Sequence, residues 1–166
     1  YTLAFGPVAN GWIGAGNAWM LNNLGNFRPG LTIPESTFAL FEIALAVFAT
    51  ALMIGAWVER ARFGWVVTFC ALWSVLIYAP VAHWLWGGGL IATKLGTLDF
   101  AGGIVLQTSA GVSALVVALL LGRRTDFPQA PANMHAPWLS LIGGLLVWIG
   151  WLALNGGAAM SATDDA

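Results

Sequence analysis

Three polar side chains stand out within or beside the long apolar runs of this chain: Glu42, Asp99 and Gln107. Such groups are costly in hydrocarbon, so each is a candidate for chemistry. Asp99 stands just before Phe100-Ala101-Gly102-Gly103 and a long uncharged run. It has two compatible readings: a cap accepting hydrogen bonds from the first free N–H groups of a helix, or a buried negative charge that favours a cation. Gln107 offers two donors and an acceptor but does not titrate. At helical spacing it lies about 12 Å beyond Asp99, close to two turns, so both are expected on a similar face. Gln107 then either bonds a neighbouring helix or lines a pore. Glu42, about one turn inside its own run, is either a structural hydrogen-bonding group or a charge at a water-filled outer mouth.

Other groupings are weaker. Phe41 with Leu45, and Leu154 with Ala158, are i, i+4 pairs, a spacing that by default means packing. Trp86 beside Gly87-Gly88-Gly89 is either a belt tryptophan or an aromatic wall, and aromatic faces attract cations by roughly 0.5–2 kcal/mol. The two histidines, His83 and His135, fall at opposite ends of the spans described below. They cannot form a pair, and no Ser–His–Asp arrangement is supported. The glycine runs lack the P-loop lysine and the dinucleotide-binding spacing, and read as tight turns and close helix packing. The lone Cys70 excludes a disulfide framework. The sequence therefore points to no enzyme, metal centre or cofactor.

The elements that carry these residues follow from composition. The chain has 166 residues, 59% of them hydrophobic and only 8% charged, with a net charge of −1. Soluble domains average about 25% charged, so this chain cannot cover itself with polar surface. There is no basic excess for a nucleic-acid partner. An all-α membrane protein in the lipid bilayer, a transmembrane helix bundle, is expected. Four runs reach the roughly 20 residues a spanning helix needs: about 38–58, 63–84, 101–121 and 138–160. Their near-uniform apolarity favours helices over barrel strands. The stretch from about Gly6 to Ser36, rich in Gly and Asn, reads as a surface loop. Tyr1-Thr2-Leu3-Ala4-Phe5 reads as the tail of an earlier span, so an internal piece of a longer protein is expected. Arg60 and Arg62 share one side with Arg123 and Arg124, against Arg28 and Lys94 on the other. The excess places the Arg60/Arg62 and Arg123/Arg124 loops in the cytoplasm.

Five runs in order resemble the ammonium transporter (Amt/Rh) family. They are Tyr1-Thr2-Leu3-Ala4-Phe5-Gly6, then Gly55 to Phe63, then Tyr78-Ala79-Pro80-Val81-Ala82-His83-Trp84-Leu85-Trp86 with its three glycines, then Leu98-Asp99-Phe100-Ala101-Gly102-Gly103 followed by Ala110-Gly111, and Ile149 to Gly157. The resemblance covers nearly the whole chain. It implies the end of the second helix through the sixth of an eleven-helix fold, one half of an inverted repeat. It also implies a homotrimer in the plasma (cell inner) membrane that moves ammonium or ammonia through a narrow apolar pore. On that pattern Phe41 and Trp86 look like the aromatic walls of an outer recruitment site, with Asp99 below them.

The departures from the pattern carry equal weight. Leu45 and Leu154 stand where the family has its two gating phenylalanines. Ala158 stands where a recruiting serine is common, Glu42 where an uncharged residue is usual, and Gln107 where the family has the first of its twin pore histidines. In the topology above, Phe41 and Ala158 share an outer level, and Leu45 and Leu154 a deeper one. The resemblance thus implies recruitment by Phe41, Trp86, Ala158, Asp99 and Glu42, a gate of Leu45 and Leu154, and a pore lined by Gln107. The same departures leave open an ammonium sensor or non-conducting homologue, and a channel for another small solute.

Overall fold

The computed structural model describes residues 1–7, 11–16, 21–22, 24–124, 127–128 and 135–160. Among them four helical stretches are long and apolar enough to cross a membrane: Glu35–Trp57, Phe63–Leu95, Gly103–Leu121 and Pro137–Gly157. No strand occurs among the described residues; an isolated bridge between Phe27 and Pro34 pins the loop before the first stretch. The chain divides into two compact units, Tyr1–Leu121 and Gly122–Ala166.

The first unit opens with α1 (Thr2–Phe5) and, after the loop, α2 (Glu35–Leu52). Extended Pro34 precedes α2, and Glu35 lies in its first turn, where a negative charge suits the helix dipole. The helix therefore starts three residues earlier than the apolar run suggests. That puts Glu42 about 10 Å along the axis, two turns in rather than one. The helix breaks at fully buried Met53, and α3 (Ile54–Trp57) completes the stretch. The turn after it carries Glu59 at φ 64°, and Arg60 Nη2 donates to the Ala56 carbonyl at 2.6 Å, satisfying a free C-terminal acceptor.

The second stretch is α4 (Phe63–Trp73), a π-helical turn (Ser74–Tyr78), α5 (Ala79–Leu85) and α6 (Leu90–Leu95). Pro80 explains the π turn: its ring clashes with the preceding turn and offers no N–H, so the ladder widens just before it. Helix α6 lies in what composition alone reads as a connecting loop. The third stretch begins at Gly103 rather than Ala101, as a π-helical turn (Gly103–Thr108) that runs into α7 (Ser109–Leu121). Leu106 N–H and Gln107 N–H both donate to the Gly102 carbonyl, at 2.8 and 3.0 Å, which widens the first turn.

Small residues let these helices approach. Ala49, Ala82 and Ala110 are fully buried, and α1 packs on α5 while α3 packs on α7. A Cβ on Gly87 would lie 2.2 Å from the Ala4 carbonyl oxygen, so only glycine admits that approach. Trp73 Nε1 donates to Ser113 Oγ at 2.8 Å, tying the second stretch to the third. The second unit holds α8 (Pro137–Gly157), an uncharged helix that begins at a proline, as helix first turns allow. The Ala158 N–H donates to the Leu154 carbonyl at 2.8 Å and closes its last turn.

Candidate functional site

Asp99 and Trp86 are brought together. Gly102, at φ 81°, turns the chain so that Asp99 folds back over the start of the third stretch. Its Oδ1 accepts from Gly103 N–H at 2.6 Å, and its Oδ2 from Ile104 N–H at 2.8 Å and Val105 N–H at 3.0 Å. The carboxylate thus serves three of the four free N–H groups of a helix start, although Gly102 and not Asp99 occupies the N-cap position. Trp86 Nε1 donates to the Asp99 backbone carbonyl at 2.5 Å, which fixes the indole plane at the end of α5. Both residues are half-buried. The indole edge of Trp86 is therefore joined to the backbone of the residue whose carboxylate caps the third stretch.

Gln107 departs from expectation. The α-helical spacing that would put it on the Asp99 face does not apply, because residues 99–102 are not helical and 103–108 wind as a π turn. The Gln107 side chain is exposed on the first unit.

On α2, Phe41 is half-buried and Leu45 is buried, and at 3.6 residues per turn the two share one face. Glu42 belongs to another face. With Ile43 and Ala46 it lines a cavity of about 180 Å³ whose other walls are Tyr1, Leu3, Ala4, Phe5, Ser74, Val75, Tyr78 and Ala79. The centre of that face is rotated roughly 125° from the Phe41/Leu45 face. Glu42 is 5% exposed, and its Oε2 has no hydrogen-bond partner among the described residues; the same holds for the hydroxyl of buried Tyr78. Sequence reasoning singled out Glu42 but missed Tyr78 and Ser74, whose hydroxyls look unremarkable inside an apolar run.

A second cluster went unread. The Arg28 guanidinium lies 3.9 Å from the centre of the Phe38 ring and 2.9 Å from Glu35 Oε1, and Tyr1 Oη donates to the same Glu35 oxygen. In sequence Arg28 registers only as a loop charge. Here it ties the loop to α1 and α2. His83 is fully buried, with Nδ1 2.9 Å from the Ala4 carbonyl oxygen, and so joins α5 to α1. No group of three or more His, Cys, Asp or Glu that could hold a metal ion occurs among the described residues. Leu154 and Ala158 lie at the end of α8 in the second unit.

Four apolar spanning helices with few polar interruptions define an integral membrane helix bundle. The whole chain, residues 1–166, matches the Ammonium Transporter Family, and the protein belongs to that family. It is 47% identical over 165 residues to an ammonium transporter of Bacillus subtilis, an alignment covering 97% of this chain and 39% of the relative. It is 40% identical over 166 residues to the ammonium transporter Amt1 of Archaeoglobus fulgidus, covering all of this chain and 40% of that one. Among solved structures, Saccharomyces cerevisiae Mep2 superposes with a TM-score of 0.85 at 35% identity, covering 98% of this chain and 38% of Mep2. The chain thus spans about two fifths of the length of these relatives, and the fold is one part of the ammonium-transporter bundle.

Proposed function

We infer that this chain forms part of a transporter that moves ammonium or ammonia across a cell's plasma membrane, with the Arg60/Arg62 and Arg123/Arg124 loops cytoplasmic and three copies assembled as a homotrimer. Membership of the family supports the substrate. The observation that carries the local reading is the bond from Trp86 Nε1 to the backbone carbonyl of Asp99, which ties an aromatic residue to the residue that holds a negative charge at the start of the third stretch. On this reading Phe41, Trp86 and Ala158 wall the outer vestibule, and Asp99 and Glu42 supply negative field. Leu45 and Leu154 form the gate, and Gln107 lines the pore below them.

The departures set the mode of transport. Leucine has no π face, so a Leu45/Leu154 gate forgoes roughly 0.5–2 kcal/mol of cation–π attraction. Ala158 lacks a hydroxyl to accept an N–H. Gln107 can hydrogen-bond a passing ammonia but cannot relay a proton as histidine does. Neutral ammonia is the species that crosses, with little net charge moved.

Reconstituted full-length protein tests this by pairing ammonium-triggered charge movement with ammonia flux read from lumenal pH. We expect flux with weak current, and a larger current from Gln107→His. Robust wild-type current that Gln107→His leaves unchanged would overturn the mode of transport. Ammonium binding without flux of either kind would select a sensor instead, a reading that the lost phenylalanines, serine and histidine favour.

A further inference from the structure

On the transport reading above, we propose that His83 is a positioning residue for the outer recruitment site. By holding the end of α5 against α1, it sets the place of the Trp86 indole and with it the affinity for ammonium.

The end of α5 is built around His83. Its backbone carbonyl accepts from Gly87 N–H at 3.1 Å and from Gly89 N–H at 3.0 Å, and so closes the chain just after Trp86. The Ala82 carbonyl, one residue earlier, takes Trp86 N–H at 2.7 Å. The side chain of the same histidine reaches the other way. Its Nδ1 lies 2.9 Å from the carbonyl oxygen of Ala4 in α1. A carbonyl oxygen only accepts, so Nδ1 carries the proton and donates. Gly87 admits this contact: a Cβ there would lie 2.5 Å from His83 Nδ1 and 2.2 Å from the Ala4 oxygen. One residue therefore closes the turn that carries Trp86 and fixes that turn to a neighbouring helix.

The direction of the indole follows from two points. One is Nε1, bonded to the Asp99 carbonyl; the other is the Trp86 backbone, at the C-cap of α5. The second point moves with the end of α5. Trp86 follows His83 by three residues, a little under one turn, so a shift at the histidine passes directly to it. Joints between helices can be made of carbon, as at fully buried Ala82 beside it. Carbon contacts are non-directional, whereas a hydrogen bond fixes both distance and angle. An imidazole is costly in a spanning stretch, and His83 is fully buried in one. Such a joint is explained by a need for precision in what it carries, and what it carries is Trp86.

The test is a double-mutant cycle on the full-length protein, read as KM and Vmax of methylammonium uptake. His83→Asn and His83→Leu have the same shape, and of the two only asparagine can donate to the Ala4 carbonyl. We expect His83→Leu to raise KM about 2- to 10-fold, the worth of one net hydrogen bond, and His83→Asn to stay within about 2-fold of wild type. With Trp86→Phe already present, the two should give the same KM. A histidine that serves stability alone would lower Vmax with the amount of folded protein and leave KM unchanged, which would overturn the proposal. So would a leucine effect on KM that persists at full size beside Trp86→Phe, or an asparagine variant as impaired as leucine. Should His83→Leu not fold, Gly87→Ala takes its place, because its Cβ forces His83 and Ala4 apart. A raised KM there supports the proposal and an unchanged one overturns it. Trp86→Phe with the KM of wild type would overturn the recruitment reading, and the role of His83 with it, whereas a raised KM in Trp86→Phe without one in His83→Leu would overturn the role of His83 alone.

Discussion

Replacing Asp99 separates the two things its carboxylate can do. As a cap it serves Gly103, Ile104 and Val105 N–H groups at 2.6–3.0 Å. Losing a side-chain cap costs about 1–2 kcal/mol. Losing the negative charge at a helix start adds about 0.3–1 kcal/mol. Asp99→Ala is therefore expected to destabilise the full-length protein by about 1–3 kcal/mol. Asp99→Asn keeps one oxygen, which can occupy the Oδ2 position and hold Ile104 and Val105, while its NH2 group meets the Gly103 N–H donor to donor. It should cost about 1 kcal/mol by the same magnitudes. The assay is thermal unfolding in detergent, run beside competition of methylammonium uptake by ammonium. If capping is the whole role, uptake tracks stability and Asn restores both. If the charge also acts on a cation, Asn restores stability and leaves affinity impaired. An alanine variant as stable as wild type, or an asparagine variant no more stable than alanine, would refute the capping geometry.

Three further perturbations read other parts of the structure. Gly102→Ala combines φ 81° with a Cβ 2.3 Å from Leu106 Cδ1, so it should lower stability by about 1–3 kcal/mol, whereas Gly96→Ala, at φ 61° in open space, should cost about 1 kcal/mol; thermal unfolding compares them. Trp86→Phe keeps an aromatic face but loses the indole bond to the Asp99 carbonyl, for about 1 kcal/mol of stability and a raised KM for methylammonium uptake. Arg28→Gln removes the ion pair to Glu35 and the contact with the Phe38 ring, and should free the loop between α1 and α2 for limited proteolysis at a cost of about 1–3 kcal/mol.

The apolar stretches were legible in sequence because apolarity over some 20 residues is a property of the run and survives small local errors. What breaks the runs was not. Met53 interrupts the first stretch with an ordinary hydrophobic side chain, and nothing in its chemistry announces a turn. Pro80 announces a disturbance, but its form, a π turn over the five residues before Ala79, depends on how the neighbouring helices accept it. Helix α6 is only six residues long and follows three glycines, so composition hides it. The candidate site divides in the same way. Asp99 before a glycine pair and an apolar run is a local signal, and its capping role could be read. The link from Trp86 to the Asp99 carbonyl crosses 13 residues, and the Glu42 cavity joins residues from Tyr1 to Ala79. Such distances are set by packing, which no window of sequence contains.

The two π turns fall where polar groups are retained inside apolar helices, and this coincidence has a physical basis. A π turn gives up the regular i→i−4 ladder, so backbone groups and side chains are re-aimed at a free-energy cost. In a membrane that cost is harder to recover, because no water is present to satisfy displaced groups. In the second stretch the turn faces the Glu42 cavity with Ser74, Val75 and Tyr78. In the third it carries Gln107 and follows the Asp99 cap. A bundle selected for stability alone would fill both places with regular helix and carbon. Local rules are broken where a structure serves another end, and here they are broken at the two positions marked independently by the Glu42 carboxyl, whose Oε2 has no partner among the described residues, and by the engaged Asp99 carboxylate.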